Sequence, residues 1–224
     1  DGMVHVGSVS YGAGRAGEFP AQRLAYELRD LGLPWGRFKT GTPPRLKRAS
    51  VDVSLMAEDV GDEQAHCFSL RSEAISRPRK SCYRTHTSQR THELIRRNLT
   101  LSPLYSGTIK GTPARYCPSL EYKVARFPQR ETHPVVVEPE GLQTEEVYLK
   151  GLGNSLPPEI QIELVRSVPG LECAEIVRPG YAIEYDFIDP TCLNITFEVK
   201  SVPGLYLAGQ INGTSGYEEA AAQG

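Results

Sequence analysis

The sequence closes on a unit that dictates its own local fold. The apolar run Leu205-Tyr206-Leu207-Ala208 enters GQINGTSGYEEAAAQG, residues 209–224. A short β-type run, a glycine-rich loop and an alanine-rich stretch in that order predict a strand–turn–helix. Ser215 and Glu218 stand three apart, the spacing of a capping box, so the helix is expected to begin there. A helix start offers free N–H groups and the positive end of a dipole, which suits a phosphate or an electron-rich ring system. Units of this kind also occur where nothing binds. The helical pattern is still running at Gly224, so the expectation is a piece of something longer.

Length and composition bound the rest. The 224 residues, 39% hydrophobic and 23% charged, suit a globular chain with a real core, as one large domain or two small ones. No apolar run reaches the roughly 18 residues of a membrane span, and no signal-peptide pattern opens the chain. The five cysteines (Cys67, Cys82, Cys117, Cys173 and Cys192) are odd in number, widely spaced and never C-x-x-C. That spacing argues against a disulfide framework or a zinc site and predicts a reducing, cytoplasmic setting.

The net charge of −2 hides an asymmetry. From Arg71 to Arg130 there are thirteen Lys and Arg against three acids, whereas from Glu131 to Glu198 there are thirteen acids against Lys150, Arg166 and Arg178. A second basic group (Arg37, Lys39, Arg45, Lys47, Arg48) contains no acid. A polyanion docking on the middle of the chain is one reading, and a solvated charged face is the other.

Periodicity predicts a helix over 20–31 with Leu24, Leu28 and Leu31 on one stripe, a second over 88–99 with Leu94, Ile95 and Leu99 inward, and a third from Pro157-Pro158 to Val168. Strands are expected at 134–138, 145–149, 174–178, 181–187 and 204–208. The interleaving predicts an α/β fold with mixed α+β features. Lys39-Thr40-Gly41-Thr42-Pro43-Pro44 reads as a domain boundary.

Cys117 is the thiol with chemical promise. Arg115 precedes it by two residues, Lys123 and Arg126 follow, and cations lower a thiol's pKa and so raise its nucleophilicity. The alternative is that a free cysteine packs as a small hydrophobe. The histidines suggest exposed polar side chains rather than a metal site, because His86 and His92 are poorly spaced for shared ligation. Gly12-Ala13-Gly14-Arg15-Ala16-Gly17 matches G-x-G-x-x-G by letter, but Glu18-Phe19-Pro20 interrupts the helix that should follow, so it reads as a loop.

Several stretches together carry a resemblance: GRAG (14–17), GRFKTGTPPRL (36–46), CYRTHT (82–87), RYCPSLEYKVARF (115–127), EPEGL (138–142), RPGYAIEYDFIDP (178–190) and AGQINGTSGYEEAAAQG (208–224). In this order they resemble the MnmG (GidA) family of tRNA-modifying flavoproteins, over nearly the whole chain and most weakly at 47–80. The resemblance implies an FAD-dependent enzyme working with an MnmE-like GTPase, as a homodimer in full length and without a membrane. It would install an aminomethyl or carboxymethylaminomethyl group on carbon 5 of wobble uridine 34, with methylene-tetrahydrofolate as one-carbon donor and NADH reducing the flavin.

The same resemblance implies residue roles. Cys117 matches the cysteine proposed as nucleophile. Pro113, Ala114, Arg115, Tyr116, Pro118, Ser119, Leu120, Glu121, Lys123, Arg126 and Phe127 match the assigned NAD stretch, and Gly209, Gln210 and Asn212 fall at the flavin. The basic middle region, with Arg84, Arg90, Arg96 and Arg97, becomes a tRNA contact. Tyr122 and Ala114 depart from the family's usual acid and proline. The implied organisation is an FAD-binding Rossmann-like domain split between 1–43 and 119–224, with an inserted α/β lobe at 44–118. The family's dinucleotide fingerprint and helical C-terminal region fall outside these residues, so the isolated chain is expected to be inactive. Rival readings are a TrmFO-like folate-dependent methyltransferase, disfavoured by the long insert between KTGTPPR and RYCPS, and a nucleic-acid-binding module that has lost the flavin.

Overall fold

The computed structural model describes residues 1–63, 67, 69–72, 78–116 and 118–224. Strands and helices alternate along the chain and assemble into two sheets, the mixed α/β fold expected. The first sheet has the order β2 (Val9–Gly12), β1 (Gly2–Val6), β11 (Tyr181–Ile188), β3 (Trp35–Thr42) and β7 (Thr112–Pro113). Only the β3–β7 pair is parallel. The second sheet runs β10 (Ile176–Arg178), β4 (Arg45–Lys47), β9 (Glu146–Lys150), β8 (Pro134–Pro139), β6 (Cys82–His86) and β5 (Ala57–Asp59), all antiparallel.

The second sheet draws strands from both sides of residue 118, because the β8–β9 hairpin completes it. Its alternation is visible in the sequence. Val135 and Val137 of β8 and Val147 and Leu149 of β9 are buried, while Tyr148 turns outward beneath the Arg45 guanidinium, 4.5 Å from the ring centre. The buried set meets α2 (Gln89–Asn98), α3 (Leu120–Arg126) and α4 (Pro158–Arg166) through Ile95, Leu120, Val124, Leu164 and Val165. Each such aliphatic side chain contributes about 1.5–3 kcal/mol on burial.

The helix starts explain themselves. Ser88 and Thr91 form a reciprocal capping box at α2, and the Ser88 hydroxyl donates onward to the Ser167 carbonyl at 2.9 Å. Prolines open α4, where a missing N–H costs nothing. In α1 (Gln22–Asp30) the expected inward stripe is realised only in part: Leu28 packs against the core around Leu33 and Ile188, whereas Leu24 and Leu31 are exposed, and Ala25 is the residue of the helix that is buried. Arg29 holds this helix to the sheet, donating to Asp186 at 2.7 Å and lying 4.0 Å from the Trp35 ring centre.

Three further expectations are corrected. Residues 204–208 form no strand but one isolated bridge, Glu198 to Tyr206, because Gly204 turns at a φ of 82°. The last helix, α5 (Tyr217–Gln223), starts after Gly216 without a side-chain cap, so Ser215 and Glu218 form no capping box. The histidines are not mainly surface groups, since His5, His92 and His133 are all buried.

The two sheets are joined by two adjacent crossings, β3 to β4 through Pro43-Pro44 and β10 to β11 through Pro179-Gly180. A Cβ on Gly180 would lie 2.9 Å from the Thr42 carbonyl oxygen and 3.0 Å from that of Asn154, so only glycine fits. Wholly buried Gln161 accepts from the Gly180 N–H at 2.6 Å and donates to the carbonyls of Gly180 (2.8 Å) and Leu156 (2.7 Å). Gln161→Leu would leave three buried backbone groups unpaired, and a loss of about 2–4 kcal/mol is expected in chemical denaturation.

His133 and His92 stack loosely, 5.2 Å between ring centres. Burial, with Lys123 adding to it, pushes the His133 imidazole down to about 4 from its ordinary 6.5. The fold holds the neutral ring, whereas the unfolded chain takes up the proton first. Its stabilising contribution is therefore full above about pH 6.5 and is lost as pH falls towards 4. Denaturation midpoints measured across this window should fall with pH, and fall less in His133→Gln.

Candidate active site

The residues singled out in the two end motifs meet at one edge of the first sheet. Parallel pairing sets Thr112 beside Phe38 and Pro113 beside Lys39, and the Ala114 N–H donates to the Lys39 carbonyl at 2.8 Å. Here Pro113, Ala114, Arg115, Pro118 and Ser119 line a cleft of about 220 Å³ with Lys39, Leu104 and Tyr122. Tyr116 faces the other way, and its hydroxyl donates to the Glu219 carboxylate of α5 at 3.1 Å. Cys117 lies outside the described residues, as part of the same chain segment.

The remaining residues of that stretch divide by role. Ser119 caps α3 by accepting from the Tyr122 N–H. Leu120 and Glu121 are wholly buried, so their side chains lie beneath the cleft surface. Glu121 is instead a brace, accepting from the Ser155 N–H at 2.8 Å, the Ser155 hydroxyl at 3.1 Å and the Ser102 hydroxyl at 3.3 Å. Its second oxygen has no hydrogen-bond partner among the described residues. Burial, and after it the Glu121 charge, raises the Tyr105 phenol above its ordinary value. Lys123 donates to the Gly151 carbonyl at 3.1 Å, and Arg126 and Phe127 are exposed at the far end of the helix.

At the residues expected beside a flavin, Gly209 to Asn212 form a single 3-10 turn that ends at Gly213. Gly209 has a φ of 84°, which only glycine adopts without strain, and an added Cβ would meet the Ala220 Cβ at an ordinary 3.6 Å. The conformation, not close approach, demands glycine there. Gly213, at φ 81°, lies against Phe38 and Phe187, two rings stacked 4.0 Å apart. The Asn212 amide donates to the Leu207 carbonyl at 2.6 Å and to Gln223 at 3.1 Å, while Gln210 is exposed. Asn212 Oδ1 and Thr214 Oγ1 are buried without hydrogen-bond partners among the described residues. A polar cofactor edge suits such atoms, because a buried unpaired group is costly. The residues present therefore fit a flavin beside this turn. Glu218 and Glu219 occupy the first turn of α5, so its start is less electropositive than an uncharged one.

Lys39 was visible only as one of a basic group, and the fold makes it a buried lysine, 2% exposed, in the cleft wall. Its cross-strand neighbour Glu184 accepts from the N–H groups of Lys110 and Gly111 at 3.0 and 2.6 Å and pairs with His5 at 2.9 Å. Burial, helped by Glu138 and Asp59, raises the Cys82 thiol and leaves it a poor nucleophile. Of the basic residues assigned to tRNA, Arg90, Arg96 and Arg97 are exposed on α2, whereas Arg84 is ion-paired with Asp59 at 2.5 Å. Among the described residues no group of three or more His, Cys, Asp or Glu is arranged to hold a metal, and no helix is long and apolar enough to cross a membrane.

Comparison with known proteins gives one answer along the whole chain. The family model for glucose inhibited division protein A matches residues 1–224. The tRNA uridine 5-carboxymethylaminomethyl modification enzyme MnmG of Syntrophobacter fumaroxidans is 60% identical across 100% of this chain and 35% of its own length. The enzyme of the same name from Thermodesulfovibrio yellowstonii is 54% identical across 100% and 36%. Aquifex aeolicus GidA superposes in two crystal forms, with TM-scores of 0.90 (form I) and 0.87 (form II) at 44% and 42% identity. Those superpositions cover 99% of this chain and 38% and 36% of the GidA chains. The chain thus spans about a third of the length of the curated relatives it matches, and it belongs to the glucose inhibited division protein A family, GidA or MnmG.

Proposed function

We propose that this chain contributes the cofactor edge and the nucleophile segment of an FAD-dependent enzyme that modifies carbon 5 of the wobble uridine in tRNA. The observation that carries the reading is the meeting of two distant segments at β3. The 112–119 segment lies against that strand, and the glycine turn at 209–213 packs on its Phe38. The names of the relatives, tRNA uridine 5-carboxymethylaminomethyl modification enzymes, supply the reaction class.

Within this reading the Gly209–Asn212 turn and Thr214 hold the flavin edge, and bound FAD supplies the two-electron chemistry. NADH uses the cleft beside Lys39 and Arg115, where cations suit a pyrophosphate. Cys117 provides the thiolate. Its addition at carbon 6 of uracil makes carbon 5 nucleophilic. Carbon 5 then attacks the methylene carbon of methylene-tetrahydrofolate, a C–N electron pair returns to the folate nitrogen, carbon 5 loses its proton, and the thiolate leaves. Exposed Arg90, Arg96 and Arg97 take tRNA phosphates, and an MnmE-like GTPase and a second copy complete the cytoplasmic assembly. In domain terms, residues 1–43, β7 and 181–224 form the flavin-facing part, and the six-stranded sheet with α2, α3 and α4 forms the lobe.

Full-length protein tests this directly. It should carry flavin absorbance and bind tRNA; a colourless protein that still binds tRNA would overturn the enzyme reading. Cys117→Ser should lower uridine modification by at least about 100-fold with tRNA binding retained, and modification at the normal rate would remove the nucleophile assignment. Arg96→Ala with Arg97→Ala should weaken tRNA binding and reduce its logarithmic salt slope by about one to two. Unchanged affinity and slope would remove α2 from the tRNA surface.

A further inference from the structure

The six-stranded sheet pairs most of its cations with acids. Arg45 meets Glu140, Lys47 meets Glu175, Arg84 meets Asp59, Lys150 meets Glu138, and Arg178 meets Glu146 and Glu140. Arg48, Arg79 and Lys80 break the pattern. Among the described residues no carboxylate pairs with any of them, and all three line one cleft of about 210 Å³. Among the described residues no acid lines that cleft.

The cleft lies at the rim of the main core, separate from the one beside Lys39. Its floor is apolar and firm: Val137 and Val147 are buried core residues, and Tyr83 packs against the same cluster. Ser81 adds a hydroxyl beside the cations. The three cations are exposed at its mouth, and the Arg79 guanidinium reaches the Asp62 backbone carbonyl. A bare phosphate makes no use of an apolar floor. A long acyl chain needs more depth than this small cavity offers. A flat ring joined to a phosphate uses both, because guanidinium and ammonium groups bind phosphate while a base settles on apolar and aromatic surface.

We propose that this cleft is a nucleotide-binding site that takes one phosphorylated nucleotide, its phosphate held by Arg48, Arg79 and Lys80 and its base on the Tyr83–Val137–Val147 floor. The unit is either part of an RNA strand or a free nucleotide. The strand source rests on the tRNA function proposed above; the free-nucleotide source does not.

Full-length wild type and the R79A/K80A variant would be titrated with uridine 5′-monophosphate and, separately, with tRNA at two salt concentrations. Flavin content and thermal midpoint serve as checks of folding, and R48A replaces the double variant if those checks fail. The expected result is at least tenfold weaker binding of one or both probes by the variant. Loss confined to the mononucleotide assigns the site to a free nucleotide. Loss of tRNA affinity with a shallower salt slope assigns it to a strand. A wild type that binds the mononucleotide but no tRNA would sink the tRNA function and leave the site standing. Identical behaviour of variant and wild type towards both probes, including binding of neither, overturns the inference.

Discussion

The architecture depends on keeping a polar seam paired where the chain passes twice between its sheets. Gln161 answers both backbone groups of Gly180, and Glu121 answers Ser155 and Ser102 a short distance away. These side chains are fully buried, so each lost bond would expose a group that water cannot reach. The apolar core supplies most of the driving force, but it is non-directional. The seam decides which strand crosses where, and therefore which faces the two sheets present.

That seam also builds the candidate site. Glu121 fixes the start of α3, and Ser119 at the head of the same helix becomes a wall of the cleft. On the other wall, Lys39 is buried in the strand beside Glu184, while Glu184 holds the turn at Lys110 and Gly111 that leads into β7. A buried carboxylate with two backbone donors and a histidine is fully engaged. It thereby holds Thr112 to Ala114 against the sheet from their N-terminal side.

Much of this was legible in the residues, and the gaps have physical causes. Alternating Val and Leu in β8 and β9, the paired prolines of α4 and the capping serine of α2 carry local signals that survive folding. The stripe of α1 held at Leu28 alone, because a periodic pattern reports that a face is apolar, not how much of it these residues cover. The strand expected at 204–208 failed because Gly204 turns the backbone just before it. Cys117 stood out by its basic neighbours, whereas the nucleophile role and the NAD role of 113–127 were expected from a family pattern alone. Lys39 was not singled out, since only tertiary pairing of β3 with β7 and β11 turns an ordinary basic residue into a buried one. The same limit hid Arg48, Arg79 and Lys80, whose significance lies in the missing acids around them.

The hydrogen bond from Tyr116 to Glu219 joins positions 103 residues apart. It makes the turn preceding Cys117 and the helix following the glycine turn share one donor and one acceptor. A ligand that claims the Glu219 carboxylate frees Tyr116, and a ligand that claims Tyr116 frees Glu219. A bond on the exposed surface, modest in energy by itself, thus ties the 114–116 turn to the helix that follows the glycine turn.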